Sequence, residues 1–535
     1  MEAQQAGARG PADWPPERHP GRPAPPIRAS GPIAEPNRSI DKGEIVDDTL
    51  NVDLHLHDEH QLAEMGYRQQ LSRVVGIWQN FTVGFTYLSP VVGVYPLLAY
   101  AIATSGGVFF WSIPLVVLGQ FFVLLTFAEA SSQYPIAGGV YQWAKRLVGP
   151  RYAWLSGWLY TWALLVTIAS IAFSAASYAG PLFGYSVTYA STVITALVVI
   201  AIATAINLAG VRRLAFFSAI GTAAEVAATL GLGIYLLLFD HHRGLSVILK
   251  SYGAAGGHSI VGPFLAAALF SVWIFYGFEA CGDIAEEVKN PSRTIPKAMR
   301  RVLGIGAIAS TVITLGFLVA IPNIGAVISG KDANPVGTVL TAALGGFGAK
   351  IALAVIVFAF VSCTTSLQAA ATRLVYSYGR DGVLVGGHRL SSVHPRFHMP
   401  PGAVMVTSLV PAVIVFLPSA TVARIITFAA VGIYVGFQSV VLASIIARAR
   451  GWKPSGAFRL GNWGWVVNLA ALAYGVSAIV VLSVKTPPNG PSFLDRWLVP
   501  VSVAIFAVAG LAYMAIFRPK ENIRADARAE SVVEA

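Results

Sequence analysis

Four carboxylates lie inside long apolar stretches of this sequence: Glu129, Glu225, Glu279 and Asp283. A charge in hydrocarbon is costly, so each must face a partner, a cavity or an ion path, and each is a candidate for chemistry. Glu129 and Asp283 fall near the ends of their apolar runs, where a structural or gating part suits them better than ligand contact. Glu225 is about ten residues inside its run, between Ala224 and Val226. A carboxyl there can take up and release a proton, or it can brace a helix bundle through an interhelical hydrogen bond. Backbone chemistry is available at two interruptions. Leu88-Ser89-Pro90-Val91-Val92-Gly93 puts a proline and a glycine in mid-run, and Trp273-Ile274-Phe275-Tyr276-Gly277-Phe278-Glu279 combines glycine, aromatics and a carboxylate. Proline removes an amide donor and disfavours helix at the residue before it, so amides and carbonyls are freed at such breaks. Freed amides can hold a ligand carboxylate and freed carbonyls an ammonium or a cation. These two interruptions are therefore the candidate binding segments.

Other polar groups are weaker candidates. Ser362, Thr364, Thr365 and Ser366 could offer oxygens to sodium, or simply bond between helices. His55, His57 and His60 beside Asp58 and Glu59 resemble a loose metal cluster, but nothing nearby would preorganise ligands, and a solvated segment is the better reading. The two cysteines, Cys281 and Cys363, sit in apolar stretches and form neither a disulfide framework nor a metal spacing. No HExxH, GxSxG or phosphate-loop pattern is present, which leaves an enzyme little to work with, and neither a cofactor nor a metal is expected.

The elements that position these groups follow from composition. Of 535 residues 55% are hydrophobic and 12% charged, and the mean hydropathy is +0.64. Soluble domains carry roughly twice that share of charge, so the main solvent of this chain is a bilayer. Apolar runs fall at 74–99, 108–130, 152–179, 189–209, 215–239, 263–283, 302–322, 351–378, 402–418, 424–447, 464–484 and 498–517. Segments of this length in lipid are helices, because every backbone polar group must be satisfied internally. Alternate connections are rich in Lys and Arg: with the N-terminus inside, 24 basic residues face the cytoplasm and seven the other side, and the remaining six precede residue 45. That asymmetry predicts an all-α integral membrane protein of about twelve transmembrane helices with both termini cytoplasmic. It also explains the pI near 9.6 without a nucleic-acid partner, since no basic stripe interleaved with aromatics occurs. Residues 1–70, rich in proline and then in acidic residues, read as a disordered tail; 71–519 read as the membrane domain and 520–535 as a short cytoplasmic tail. No secretory signal is visible at the start.

The two interruptions lie five runs apart. Five is odd, so a repeat of that length returns inverted across the membrane, and paired broken helices in corresponding positions point to a transporter's binding site.

The residues at these breaks also carry a family resemblance. Phe275-Tyr276-Gly277-Phe278-Glu279-Ala280, continuing through Ala285-Glu286-Glu287-Val288-Lys289-Asn290-Pro291 to Ile295-Pro296, resembles the sixth-helix signature of the amino acid–polyamine–organocation superfamily. The stretch from Glu129 through Tyr134-Pro135-Ile136-Ala137-Gly138-Gly139 to Ala144 resembles that family's loop after helix two. Gly66-Tyr67-Arg68-Gln69-Gln70-Leu71 with Phe85-Thr86-Tyr87-Leu88-Ser89 is similar to its amino acid/choline (gamma-aminobutyrate/choline permease-like) branch, and Arg380-Asp381-Gly382 fits as well. The likeness spans roughly residues 66 to 520. It implies a leucine-transporter-like fold, two inverted five-helix repeats plus two extra helices, and alternating access to a site on the broken helices, whose substrate-binding positions would fall at Ser89, Pro90, Val91, Val92 and Gly93 and at Trp273, Ile274, Tyr276, Gly277 and Glu279. It further implies a substrate that is an amino acid, gamma-aminobutyrate or a choline-like amine, moved across the plasma membrane with a proton or sodium as coupling ion. Pro90-Val91 stands where many relatives carry glycines, and Glu279 where many carry aspartate. Aligning Gly210-Val211 with the same pair in relatives sets Glu225 where several have a lysine linked to proton coupling. Exchange by the same fold and a substrate-sensing role are the other implied readings.

Overall fold

The computed structural model describes residues 58–254, 256, 259–417, 422–485 and 493–517. The N-terminal stretch to residue 57, with His55 and His57, and the 520–535 tail lie outside the described residues. His60 sits on an exposed helix turn beside Glu64, 3.3 Å away.

The first apolar run forms two helices rather than one. Helix α1 (Ile77–Leu88) stops at Ser89, which adopts a left-handed backbone (φ 43°), and α2 (Pro90–Ser105) starts with proline at its first position, where no amide is needed. Then follow α3 (Ser112–Gln133), the short α4 (Gly139–Leu147), α5 (Pro150–Ser174), α6 (Tyr189–Leu208) and α7 (Val211–Val226). Helix α7 passes through one π-type turn, Ala227–Gly231, into α8 (Leu232–Phe239). The sixth run breaks as expected: α9 (Val261–Ala267) and α10 (Leu269–Ile274) precede an irregular stretch, and α11 (Ala280–Asp283) resumes beyond it. The chain continues through α12 (Pro291–Ala320), α13 (Pro335–Arg380), α14 (Pro401–Ile414), α15 (Val422–Ala449), α16 (Gly464–Lys485) and α17 (Phe493–Phe517).

Among the described residues nine helical stretches are long and apolar enough to cross a membrane, and the first of them, Ile77–Gln133, covers two predicted runs. With the two shorter apolar helices at Val261–Ile274 and Pro401–Ile414, all twelve predicted runs are accounted for. Large apolar side chains stand outward around the bundle, Phe216, Phe239, Phe347 and Ile516 among them, each at least 70% exposed. In water such a surface would aggregate; in lipid it is the matching face.

The centre is built from the broken helices. Helix α10 packs on α2 and α11 on α1, so the first half of each broken helix meets the second half of the other. That reciprocal, antiparallel pairing is what an inverted repeat requires. Gly93 and Gly277 allow it. A Cβ on Gly93 would lie 2.7 Å from Ile274 Cγ1, and one on Gly277, at φ 110°, would lie 2.6 Å from the Leu88 amide nitrogen.

Two expected boundaries move. Helix α13 extends back to Pro335 through a non-helical Gly345 (φ 66°, ψ 178°), well before residue 351. Residues 58–70, placed by the sequence reading in a disordered tail, are ordered: 58–64 form a helix, and a strap leads on to α1. The reason is polar complementarity. Asp58 accepts from the Asn290 amide at 2.9 Å and lies 3.7 Å from Arg73, while Leu62 and Leu71 bury their side chains. Val75 then joins the segment after α11, donating to Glu287 O at 2.8 Å and accepting from the Lys289 amide at 2.9 Å.

Candidate functional site

The two breaks meet at the middle of the bundle, with Ser89, Pro90, Val91, Val92, Gly93, Trp273, Ile274, Tyr276 and Gly277 all buried. At the start of α2 the amides are largely committed. Val92 donates to Ser89 Oγ at 3.2 Å and Gly93 to Ser89 O at 2.9 Å, and Pro90 has no N–H. The Val91 N–H is the donor left over in that turn, with no hydrogen bond among the described residues. Where glycines would offer several amides, this chain offers one. Across the break Tyr276 stands edge-on to Tyr87 at 6.2 Å and to Trp273 at 5.7 Å between ring centroids, and the buried Tyr87 hydroxyl has no partner among the described residues. The meeting point of the breaks thus combines aromatic edges with a phenol and an amide donor.

Glu279 is positioned differently from its neighbours. Its Oε2 accepts from the Gly277 amide at 2.8 Å and its Oε1 from the Tyr160 hydroxyl at 3.1 Å. Both oxygens are engaged by the protein, so Glu279 ties the second break to α5. Tyr160, which joins Glu279 to α5, was not singled out by sequence reasoning. The signal was a tyrosine in mid-span, whose hydroxyl must find a partner when buried.

Glu225 belongs to the same neighbourhood. It ends the regular part of α7, directly before the π-type turn, and its polar neighbours include the Ser89 hydroxyl at the first break and the Cys363 thiol of α13. The side chain is fully buried, and neither carboxyl oxygen has a hydrogen-bond partner among the described residues. The polar group beside this carboxyl is the Ser89 hydroxyl of the first break. The hydroxyls considered for sodium divide. Thr364 and Thr365 donate to carbonyls of their own helix at 2.8 and 2.7 Å, Ser366 bonds Thr86 at 2.7 Å and lies 3.1 Å from Ser218, and Ser362 alone is unpartnered among the described residues.

Beyond the breaks, the face that carries most of the Lys and Arg residues is closed by a polar layer. Asp381 is its hub, taking Lys145 Nζ at 2.6 Å, the Tyr141 hydroxyl at 2.7 Å and the Tyr67 hydroxyl at 2.8 Å. Burial alone would raise the Asp381 carboxyl, but Lys145 and Arg380 beside it hold it below the ordinary carboxylate range. Arg380 pairs with Glu286 at 2.9 Å and Arg373 with Glu287 at 2.9 Å. Glu129 is paired with Arg448 and also accepts from the Leu460 amide at 2.8 Å, the structural part its position near a helix end suggested. Asp283 is buried against the Gly138-Gly139 turn with both oxygens unpartnered among the described residues. This layer links α4, α13, the strap and the segment after α11, which in sequence are far apart.

Comparison with known proteins agrees with this construction. Residues 76–517 match the amino acid permease family. The chain is 25% identical to an amino-acid permease BAT1 homolog of Oryza sativa subsp. japonica, covering 79% of this chain and 86% of that protein. It is 23% identical to the amino-acid permease BAT1 of Arabidopsis thaliana, covering 85% and 93%, and 23% identical to the choline transporter of Saccharomyces cerevisiae, covering 80% and 78%. With the family match spanning more than four-fifths of the chain, and with broken helices paired back to back at its core, the protein belongs to the amino acid permease family and is a membrane transporter rather than an enzyme.

Proposed function

We propose that this protein is a secondary active transporter that imports an amino acid or a related small amine, such as gamma-aminobutyrate or choline, by alternating access, and that a proton bound at Glu225 drives it. The basic face is taken as cytoplasmic and the membrane as the plasma membrane, following the charge asymmetry of the loops. Substrate carboxylate or amine would be read by the Val91 amide, the Tyr87 hydroxyl and the carbonyls freed at Trp273 and Ile274, with the three aromatic rings limiting its size.

The observation that carries the coupling is the uncommitted Glu225 carboxyl beside Ser89. Ionised, it would be an unneutralised charge in the bilayer interior; protonated, it is neutral and can donate to the first break. Loading a proton there changes what the break can bond, which is the form of linkage that couples ion and substrate. The competing sodium reading rests on Ser362, Thr364, Thr365 and Ser366, whose oxygens keep lone pairs for a cation even where their hydrogens are donated, and the liposome experiment separates the two.

Purified protein in liposomes is expected to accumulate labelled substrate under an inward proton gradient without sodium. Glu225→Gln should abolish gradient-driven accumulation while substrate binding and exchange persist. Accumulation that needs sodium and ignores pH, or wild-type accumulation by Glu225→Gln, would remove Glu225 from the mechanism. A competition screen with neutral, cationic and acidic amino acids, gamma-aminobutyrate and choline identifies the substrate.

A further inference from the structure

A cleft of about 350 Å³ opens on the basic face where α6 passes into α7, and Arg212, Arg213, Arg396, Phe397, His398 and Ser72 line it. It is remote from the breaks and plays no part in the proposed transport cycle. We propose that it binds the phosphate of an anionic phospholipid headgroup.

The first argument is charge. Three guanidiniums line one concavity, and no lining residue is acidic. Elsewhere on this face Arg73, Lys145, Arg373, Arg380 and Arg448 are each paired with a carboxylate. Arg212, Arg213 and Arg396 are exposed and have no such partner among the described residues. Clustered guanidiniums repel one another until an anion intervenes, and their planar donor forks match phosphate oxygens.

The second is construction. Gly210, at φ 94°, makes the tight turn between α6 and α7, and a Cβ there would lie 2.8 Å from the Phe397 carbonyl oxygen. That close approach brings the loop bearing Arg396 against the start of α7. The loop is held by its own bonds, His394 N–H to Met399 O at 2.9 Å and His398 N–H to His394 O at 2.8 Å, with His398 itself at φ 48°. The lining is therefore shaped by backbone and does not depend on side chains finding one another.

The third is depth, which separates a lipid from free phosphate. Helices α6 and α7 both belong to membrane-crossing stretches, so their junction sits at headgroup level. Phe216 and Ile220 follow Arg212 at spacings of four and eight, on the same face of α7, and are 70% and 45% exposed. A headgroup phosphate held at Arg212 thus has an apolar track beneath it for its acyl chain, which inorganic phosphate cannot use.

The test uses the full chain in detergent and in vesicles. Thermal stability and native mass spectrometry are read with added phosphatidylglycerol, phosphatidylcholine or inorganic phosphate, for wild type, the triple variant Arg212→Gln/Arg213→Gln/Arg396→Gln, and Phe216→Ala. Each basic residue near an anionic headgroup contributes on the order of a fivefold affinity factor, so the triple variant should lose roughly a hundredfold of phosphatidylglycerol affinity. Phe216→Ala should weaken lipid retention and leave any response to inorganic phosphate unchanged. Equal binding of phosphatidylglycerol by wild type and the triple variant, or equal retention of phosphatidylcholine and phosphatidylglycerol by wild type, overturns the proposal. A response to inorganic phosphate as strong as to the lipid, insensitive to Phe216→Ala, overturns the lipid assignment. Should the triple variant fold poorly, Arg396→Gln alone, on an exposed loop, is expected to show a fivefold loss.

Discussion

Glu225 and Glu279 read alike in the sequence, as carboxylates in apolar helices beside or opposite a break, and only their hydrogen bonds tell them apart. Glu279 has both oxygens occupied by Gly277 and Tyr160; Glu225 has neither occupied among the described residues. Type and depth are legible from one chain, but the identity of a partner 119 positions away, Tyr160, is not. Different outcomes follow for the same isosteric change. Glu279→Gln keeps one acceptor oxygen for two donors, so one charge-assisted bond of about 1.5–3 kcal/mol is lost and the break loosens. Substrate affinity should fall by roughly tenfold or more as a consequence. Tyr160→Phe removes one of the same bonds from the other side. In a double-mutant cycle read by equilibrium substrate binding, the two losses should therefore be less than additive. Glu225→Gln, by contrast, should leave binding affinity within a few-fold and remove its dependence on pH; full additivity of the first pair would show that Glu279 contacts substrate directly instead.

At the scale of elements, the apolar runs located the helices because hydrocarbon demands length and continuity, and the Pro90 and Gly277 interruptions located the breaks for the same reason. The strap before α1 and the bend at Gly345 escaped that reading. Their order comes from specific polar contacts and one permissive φ, neither of which leaves an apolar pattern. Two substitutions test how elements hold the site: Gly277→Ala, with Gly304→Ala as its control, and Asp381→Asn. Gly277→Ala introduces a Cβ 2.6 Å from the Leu88 nitrogen at a φ of 110°, and backbone on both sides leaves no side chain to yield. Strain of about 1–3 kcal/mol or more should separate the breaks, abolishing uptake and lowering the melting temperature. Gly304→Ala, in α12 with nothing within 4 Å of the added Cβ, should leave both intact or raise stability slightly. The second substitution concerns the layer closing the basic face. The Asp381 carboxyl sits below its ordinary value of 3.8, so its contribution is fully present above that pH and is lost only as pH falls through the lower, folded-state value. The layer is accordingly intact throughout the neutral range. Asp381→Asn should loosen it at pH 7 and favour opening toward the basic face, while the midpoint of the pH–uptake curve stays unchanged, as the proposed coupling through Glu225 requires. A shifted midpoint in Asp381→Asn would place the proton sensor in the closing layer.

On the scale of the whole molecule, the sequence carries a topology that the helices then complete: basic loops on one side, broken helices meeting from opposite directions at the middle. What it does not carry is the conformational state, because that depends on which face's contacts are made at once. Here the candidate binding residues are buried and the basic face is shut by Asp381, Glu286 and Glu287 with their Lys, Arg and Tyr partners. The chain supplies its own reporters of a change in that state, since its two cysteines are both buried and lie at different depths. Cys281, on α11, lies 3.5 Å from Asn80 O, between the breaks and the closing layer, whereas Cys363 lies 3.3 Å from Tyr87 O at the level of the breaks themselves. In the proposed alternating-access cycle, relative motion of the two repeats would open the path through the closing layer before it reaches the breaks. Maleimide added from the basic side should therefore label Cys281 slowly in wild type and faster in Asp381→Asn. Saturating substrate should slow both, and Cys363 should react later than Cys281 in every case, as read by mass spectrometry of the two peptides. Equal Cys281 labelling rates in wild type and Asp381→Asn would mean that the Asp381 layer does not control access, and that the closed face is held by apolar packing around α4 and α13 instead.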